Sequence, residues 1–151
     1  MRALFAAALL LVFVAGCSPG HEGAANTKVA IDTPKGPVTF MVELAADDAT
    51  RKNGLMYRTT LAPNAGMLFD FHEEGLQVFW MKNTPLPLDM IFIRSDGTIS
   101  SIAENTVPYS EDPIPSSEPV RAVLEINGGR SRALGIAEGE KVHAEIFGNA
   151  P

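Results

Sequence analysis

The sequence predicts an α+β domain, predominantly antiparallel β, in which a small barrel-like or sandwich-like sheet carries two short helices. Two observations point there. The apolar runs are short, several alternate apolar with polar side chains at period two, and Gly, Pro, Asn and Asp bound them, as half-buried strands require. Helical spacing is confined to two brief stretches, and no internal repeat is present. A chain of 151 residues, 46% hydrophobic, is sized for one domain with a real core.

Residues 1–16 are set aside from that domain. Arg2, the apolar run Ala3 to Val14 and then small residues follow the order of an export signal, and the run is too short to span a membrane. Val14-Ala15-Gly16-Cys17 resembles the lipobox of bacterial lipoprotein signal peptides. That resemblance implies cleavage before Cys17 and acylation of its thiol and new amino group, with palmitate-like chains anchoring the protein stably. The plainer alternative leaves Cys17 in a secreted tail, but it is the sole cysteine and has no disulfide partner. Ser18 stands where an Asp would favour inner-membrane retention in such lipoproteins, so a periplasm-facing outer-membrane anchor is expected. Residues 17–27, polar and small, read as a flexible tether, and residues 28–148 as the β-rich domain.

Within the domain, Val29 to Asp32 and Val38 to Leu44 form a strand pair, the second placing Val38, Phe40, Val42 and Leu44 on one face. Asp47 or Asp48 caps a short helix that Asn53-Gly54 stops. Met67 to Phe71 is a strand, His72 to Gly75 a turn, and Gln77 to Lys82 a strand with Val78, Trp80 and Lys82 on one face. Met90 to Ile93, apolar on both faces, is an interior strand. Asp96-Gly97 turns the chain into Ile99 to Thr106. The proline-rich loop Val107 to Pro119 is long enough to be functional and is expected over or beside residues 79–89. Val120 to Ile126 sets Ala122, Leu124 and Ile126 against Arg121, Val123 and Glu125; Ser131 to Ile136 makes a helical turn or two, and Lys141 to Phe147 a last strand.

Without residues 1–16, 11 basic against 18 acidic residues leave a formal charge of −7. No basic cluster interleaved with aromatics appears, which argues against nucleic-acid binding. His21, His72 and His143 are scattered without zinc-ligand spacing, so no metal site is expected from them. Phosphate-cradling, dinucleotide and nucleophile-elbow motifs are absent, and no cofactor is implied.

The chain concentrates its unusual choices at Phe79 to Asp89. Pro85 and Pro87 fix φ and lack an N–H, and Thr84 and Leu86, each before a proline, are pushed to extended geometry. This stiff elbow holds Lys82 and Asp89 at its rims beside Trp80, the only tryptophan. Arg58, Trp80, Lys82, Asn83, Asp89 and Glu125 are therefore the candidate ligand-binding residues, for a small polar ligand or a peptide. Asp89 has a structural alternative, as a staple accepting hydrogen bonds near Asn83 and Thr84. An enzyme alternative makes Asp89 or Glu125 a general acid/base and Lys82 or Arg58 an electrophilic clamp, in an envelope hydrolase for example. Met41, Met56, Met67, Met81 and Met90 raise Cu(I) binding, against which core filling is the default.

Gly54-Leu55-Met56-Tyr57-Arg58, Gly66-Met67-Leu68-Phe69, Phe79-Trp80-Met81-Lys82-Asn83-Thr84 and Leu88-Asp89, followed by an apolar strand and an Asp-Gly turn, resemble the family named "domain of unknown function 192". The likeness runs from about Val29 to Phe147. It implies a small β-rich domain, often exported, and supplies no catalytic residues. The resulting expectation is a lipid-anchored, periplasm-facing accessory or binding module of the cell envelope.

Overall fold

The computed structural model describes residues 26–151; the expected export signal, Cys17 and most of the expected tether lie outside them. Among the described residues nine strands are present: β1 (Asn26–Ile31), β2 (Val38–Ala45), β3 (Ala65–Gly75), β4 (Val78–Phe79), β5 (Leu88–Ile93), β6 (Ile99–Ala103), β7 (Ile114–Pro115), β8 (Val120–Asn127) and β9 (Val142–His143). Helices α1 (Asp48–Asn53) and α2 (Arg130–Leu134) complete the pattern, with a 3-10 turn at Glu145–Phe147. No helix among the described residues is long and apolar enough to cross a membrane.

Seven strands form one mixed sheet in the order β6-β5-β8-β3-β2-β1-β9, and β4 pairs with β7 in a small second sheet. The expected α+β, mostly antiparallel architecture is what forms, with one parallel pair, β2 with β3. A parallel pair needs a crossover, and α1 with the turn after it supplies one. Asp47 caps α1 in a reciprocal box with Thr50, and Gly54 ends it.

The large sheet curls into a half-barrel whose two edges meet. Thr98, just before β6, bridges Lys141, just before β9, while Ile99 N–H donates to Glu140 O at 2.9 Å and Val142 N–H to Gly97 O at 2.8 Å. Gly97 has φ +82°, and a Cβ there would lie 2.6 Å from Val142 O, so the closure requires glycine.

Curling gives the sheet two differently covered faces. Inside lie Val29, Ile31, Phe40, Val42, Leu124 and Ile126, among others. On the outer face Met67, Phe69, Met90, Phe92 and Val123 pack beneath Leu55 and Met81. All six residues of β5 are buried, as its two apolar faces predict. Each such side chain taken fully from water contributes about 1.5–3 kcal/mol before the entropy of ordering is set against it.

Three elements differ from expectation. β3 runs on through Gly75 instead of turning at His72, because a register shift after Asp70 and a left-handed His72 (φ +66°) absorb the irregularity within the strand. The expected strand Gln77 to Lys82 shrinks to β4, since the chain must turn at Met81 to Thr84. The last strand stops at His143, where Asn149 accepts from Ala144 N–H (3.0 Å) and donates to Val142 O (3.1 Å), pulling the terminus into a turn. β1 begins at Asn26, so the end of the expected tether is already strand.

Candidate functional site

The elbow is a closed turn braced on two sides. Thr84 N–H donates to Met81 O at 3.0 Å and the Thr84 hydroxyl to Lys82 O at 3.1 Å. The proline-rich loop lies beside it, as expected: Met81 N–H donates to Ser110 O at 2.8 Å, Tyr109 N–H to Thr84 O at 3.1 Å, and β4 pairs with β7. On the other side stands the turn after α1. Tyr57 N–H donates to Asn83 O, and Asn83 Nδ2 to Tyr57 Oη, both at 2.8 Å. Tyr57 and Asn83 are both left-handed, with φ of +64° and +54°, so this reciprocal pair holds two costly backbone conformations in place.

Between these walls an open hollow of about 510 Å³ lies beside Trp80, which is 50% exposed. Lys52 and Asn53 of α1, Met56 and Tyr57 after it, and Lys82 and Asn83 of the elbow share its lining with the indole. Lys82 Nζ sits 5.3 Å from the centre of the indole ring and 3.5 Å from a Glu111 carboxylate oxygen in the loop. The cation on the aromatic face and the loop acid together orient that side of the mouth. Another hollow, of about 280 Å³, lies where Trp80 and Lys52 meet Phe71, Gln77 and Val78.

Beneath Trp80 is a smaller chamber of about 50 Å³, which shares Lys52, Asn53, Met56 and Trp80 with the first hollow. Leu55, Phe69, Phe79 and Thr84 wall it, and Glu125 lines it from β8. Glu125 is 5% exposed, and among the described residues its carboxyl makes no hydrogen bond or ion pair. Burial pushes its pKa up to about 8, which favours the neutral form near pH 7. β8 reaches this position because Gly66 lets β3 come close: a Cβ at Gly66 would lie 2.3 Å from Glu125 O.

Asp89 does not join this site. It is fully buried and accepts three backbone N–H groups, from Asn105 (2.7 Å), Gly129 (2.8 Å) and Ser131 (2.7 Å). It is a staple, though its partners lie on the loop after β6 and at the start of α2 rather than at Asn83 and Thr84. Arg58 also points elsewhere, held by both carboxylate oxygens of Glu43 on β2. The register pairs Met90 with Glu125 and Asp89 with Ile126, which sets the two acids on opposite faces of the sheet. Asp89 and Arg58 therefore do not join Glu125 in one cleft, and of the residues named for the enzyme alternative neither can serve a site built around Glu125.

The Cu(I) alternative fails on accessibility. Met67, Met81 and Met90 are core residues, and Met81 Sδ accepts the Thr106 hydroxyl at 3.1 Å. Met41 is exposed on β2, opposite Lys28 and Ala65, leaving only Met56 at the hollow. His72 and His143 hydrogen-bond to Ala46 O and Asp32, respectively. Among the described residues no group of three His, Cys, Asp or Glu side chains is placed to hold a metal.

Of the expected residues, then, Trp80, Lys82 and Asn83 line the outer hollow, and Glu125 lines the chamber that shares Trp80 with it. Lys52, Asn53, Met56 and Tyr57 were missed as site residues because they arrive across the turn after α1. Their signal was the Asn53-Gly54 stop running into Leu55-Met56-Tyr57, a segment conspicuous only as part of the family pattern.

Comparison with known proteins agrees with this architecture. The family model DUF192, described as uncharacterized ACR, matches residues 29–144. A crystal structure of a candidate transcription regulator from Sinorhizobium meliloti 1021 is 48% identical, with a TM-score of 0.81 over 84% of this chain and 99% of the other. A protein of unknown function from Novosphingobium aromaticivorans DSM 12444 is 40% identical, with a TM-score of 0.78 over 91% of this chain and 94% of the other. No curated protein matches.

Proposed function

The chain belongs to the DUF192 family, and from that premise we propose a lipid-anchored, periplasm-facing binding module of the cell envelope whose ligand site is the hollow beside Trp80. The ligand is a small anionic molecule with a flat apolar body. One observation carries this: an open hollow of about 510 Å³ is lined by an exposed indole, a tyrosine and two lysines, in a chain whose formal charge is −6. Against that negative background, the Lys52 ammonium, with Lys82 shared between the indole and Glu111, favours an anion, and the indole face favours a flat group. A volume of this size suits a small organic molecule.

Anchoring rests on the lipobox-like Val14 to Cys17 and on Cys17 being the sole cysteine. Nucleic-acid binding, which the Sinorhizobium relative's description would suggest, is disfavoured by the acidic charge. Two measurements test the proposal. Labelled palmitate should enter the wild-type protein and not Cys17→Ser; equal labelling of both, or none of either, would remove the anchor. In a thermal-shift panel of small organic anions, at least one should raise Tm for the wild type and not for Trp80→Ala. If no anion shifts Tm, or if shifts survive Trp80→Ala, the hollow is not the site.

A further inference from the structure

Glu125 is out of place by ordinary folding rules. A carboxyl group in an apolar layer costs stability unless hydrogen bonds compensate, and among the described residues this one has no partner. Met67 and Met90 flank it on β3 and β5, and Leu55, Phe69, Phe79 and Trp80 surround the space in front of it. That space is about 50 Å³, enough for a few waters or one carboxyl-sized group and too small for a whole ligand.

The charged side chains sharing the chamber with Glu125 are Arg51 and Lys52, both from α1. Arg51 is engaged, donating to Ala46 O, Asp70 O and Asp48. Lys52 forms no ion pair or hydrogen bond among the described residues, and it lines both the chamber and the outer hollow. The Thr84 hydroxyl already donates to Lys82 O and has only acceptor capacity left.

We propose that the chamber is the recognition point for a carboxylate: a small aromatic monocarboxylic acid stacks its ring on Trp80 and sends its carboxylate inward, between the Glu125 O–H and the Lys52 ammonium. This rests on the binding-module reading above and names the ligand's chemical class. Glu125 acts as a hydrogen-bond donor, a role open only to its protonated form. An incoming carboxylate favours that form further, because two carboxylates sharing one site cannot both be ionised cheaply. The lysine supplies the positive charge that a neutral acid cannot.

Benzoate and phenylacetate are suitable probes, with emission of the sole tryptophan, Trp80, as the signal in the full-length protein. Saturable quenching is expected near pH 6, with Kd rising about tenfold or more near pH 9, where the acid has ionised and the lysines remain charged. Glu125→Gln keeps an N–H donor that cannot ionise and should hold its Kd within about threefold of the wild-type pH 6 value at both pH values, so that near pH 9 it binds more tightly than wild type. Glu125→Leu should weaken binding by about tenfold near pH 6. If the acids quench Trp80 but Kd ignores both pH and Glu125→Leu, the chamber is not used, while the outer hollow remains the binding site. If neither acid quenches, the carboxylate proposal fails; the wider reading then stands only if another anion of the panel gives a Trp80-dependent thermal shift.

Discussion

Asp89 on β5 and Glu125 on β8 are one register step from being direct neighbours, yet they face opposite sides of the same sheet and meet opposite fates. Asp89 is wrapped by three amide donors from two distant loops. Glu125 is nearly as buried but faces a chamber, and nothing among the described residues bonds its carboxyl. Burial alone therefore does not tell a structural acid from a functional one. What separates them is whether the chain supplies the hydrogen bonds that desolvation makes necessary.

The sharpest way to break this contrast is to exchange the charges. Asp89→Asn leaves one oxygen for three amides and turns an Nδ2 donor toward an N–H. It should cost about 2–4 kcal/mol and lower Tm by roughly 10 °C in thermal unfolding, with little change in how Trp80 responds to anions. A binding defect at unchanged Tm would restore Asp89 to the site.

Glu125 should behave in the opposite sense. Its pKa is about 8 in the folded protein against an ordinary 4.5. Between those values the folded state holds a proton that the unfolded state lacks, so stability falls as pH rises across that window and levels off above it. Denaturant unfolding of the wild type should show this slope, and Glu125→Gln should lack it. Glu125→Leu, similar in size and without a charge to bury, should be more stable than wild type near pH 9.

Smaller effects sharpen the picture of the hollow. Asp47→Ala removes the cap of α1, which carries Lys52 and Asn53, and should lower Tm by a few degrees in thermal unfolding. Lys82→Met removes the ammonium from the indole face but keeps the stem. It should change stability by no more than about 0.5 kcal/mol, and a blue-shifted or altered Trp80 emission would report the loss.

The fold was legible where local pattern and burial coincide. The period-two spacing of Val38 to Leu44 and the doubly apolar Met90 to Ile93 located β2 and β5, and Asp47 announced α1. Prolines at 85 and 87 marked the elbow, and the length of the Val107 to Pro119 loop marked what would lie against it. Alternation also placed Glu125 on the face opposite Leu124. The alternation did not reveal what covers that face, because Trp80, Leu55 and Met56 reach it from segments far away in sequence. The same separation concealed the partners of Asp89: Gly129 and Ser131 lie about forty residues downstream and contribute only backbone N–H groups, which leave no trace in side-chain identity. The parallel pairing of β2 with β3 was likewise invisible, since half-buried strands look alike in either direction.

Recognition at the chamber depends most on Glu125 being a neutral, unpaired acid facing Trp80. Carboxyl-carbon NMR of the glutamate-labelled full-length protein, followed from about pH 5 to about pH 10, tests this directly. It should show one resonance that titrates with a midpoint near 8 and disappears in Glu125→Gln. If every glutamate carboxyl has finished titrating by about pH 6, Glu125 is an ordinary ionised side chain and cannot donate a hydrogen bond to a ligand.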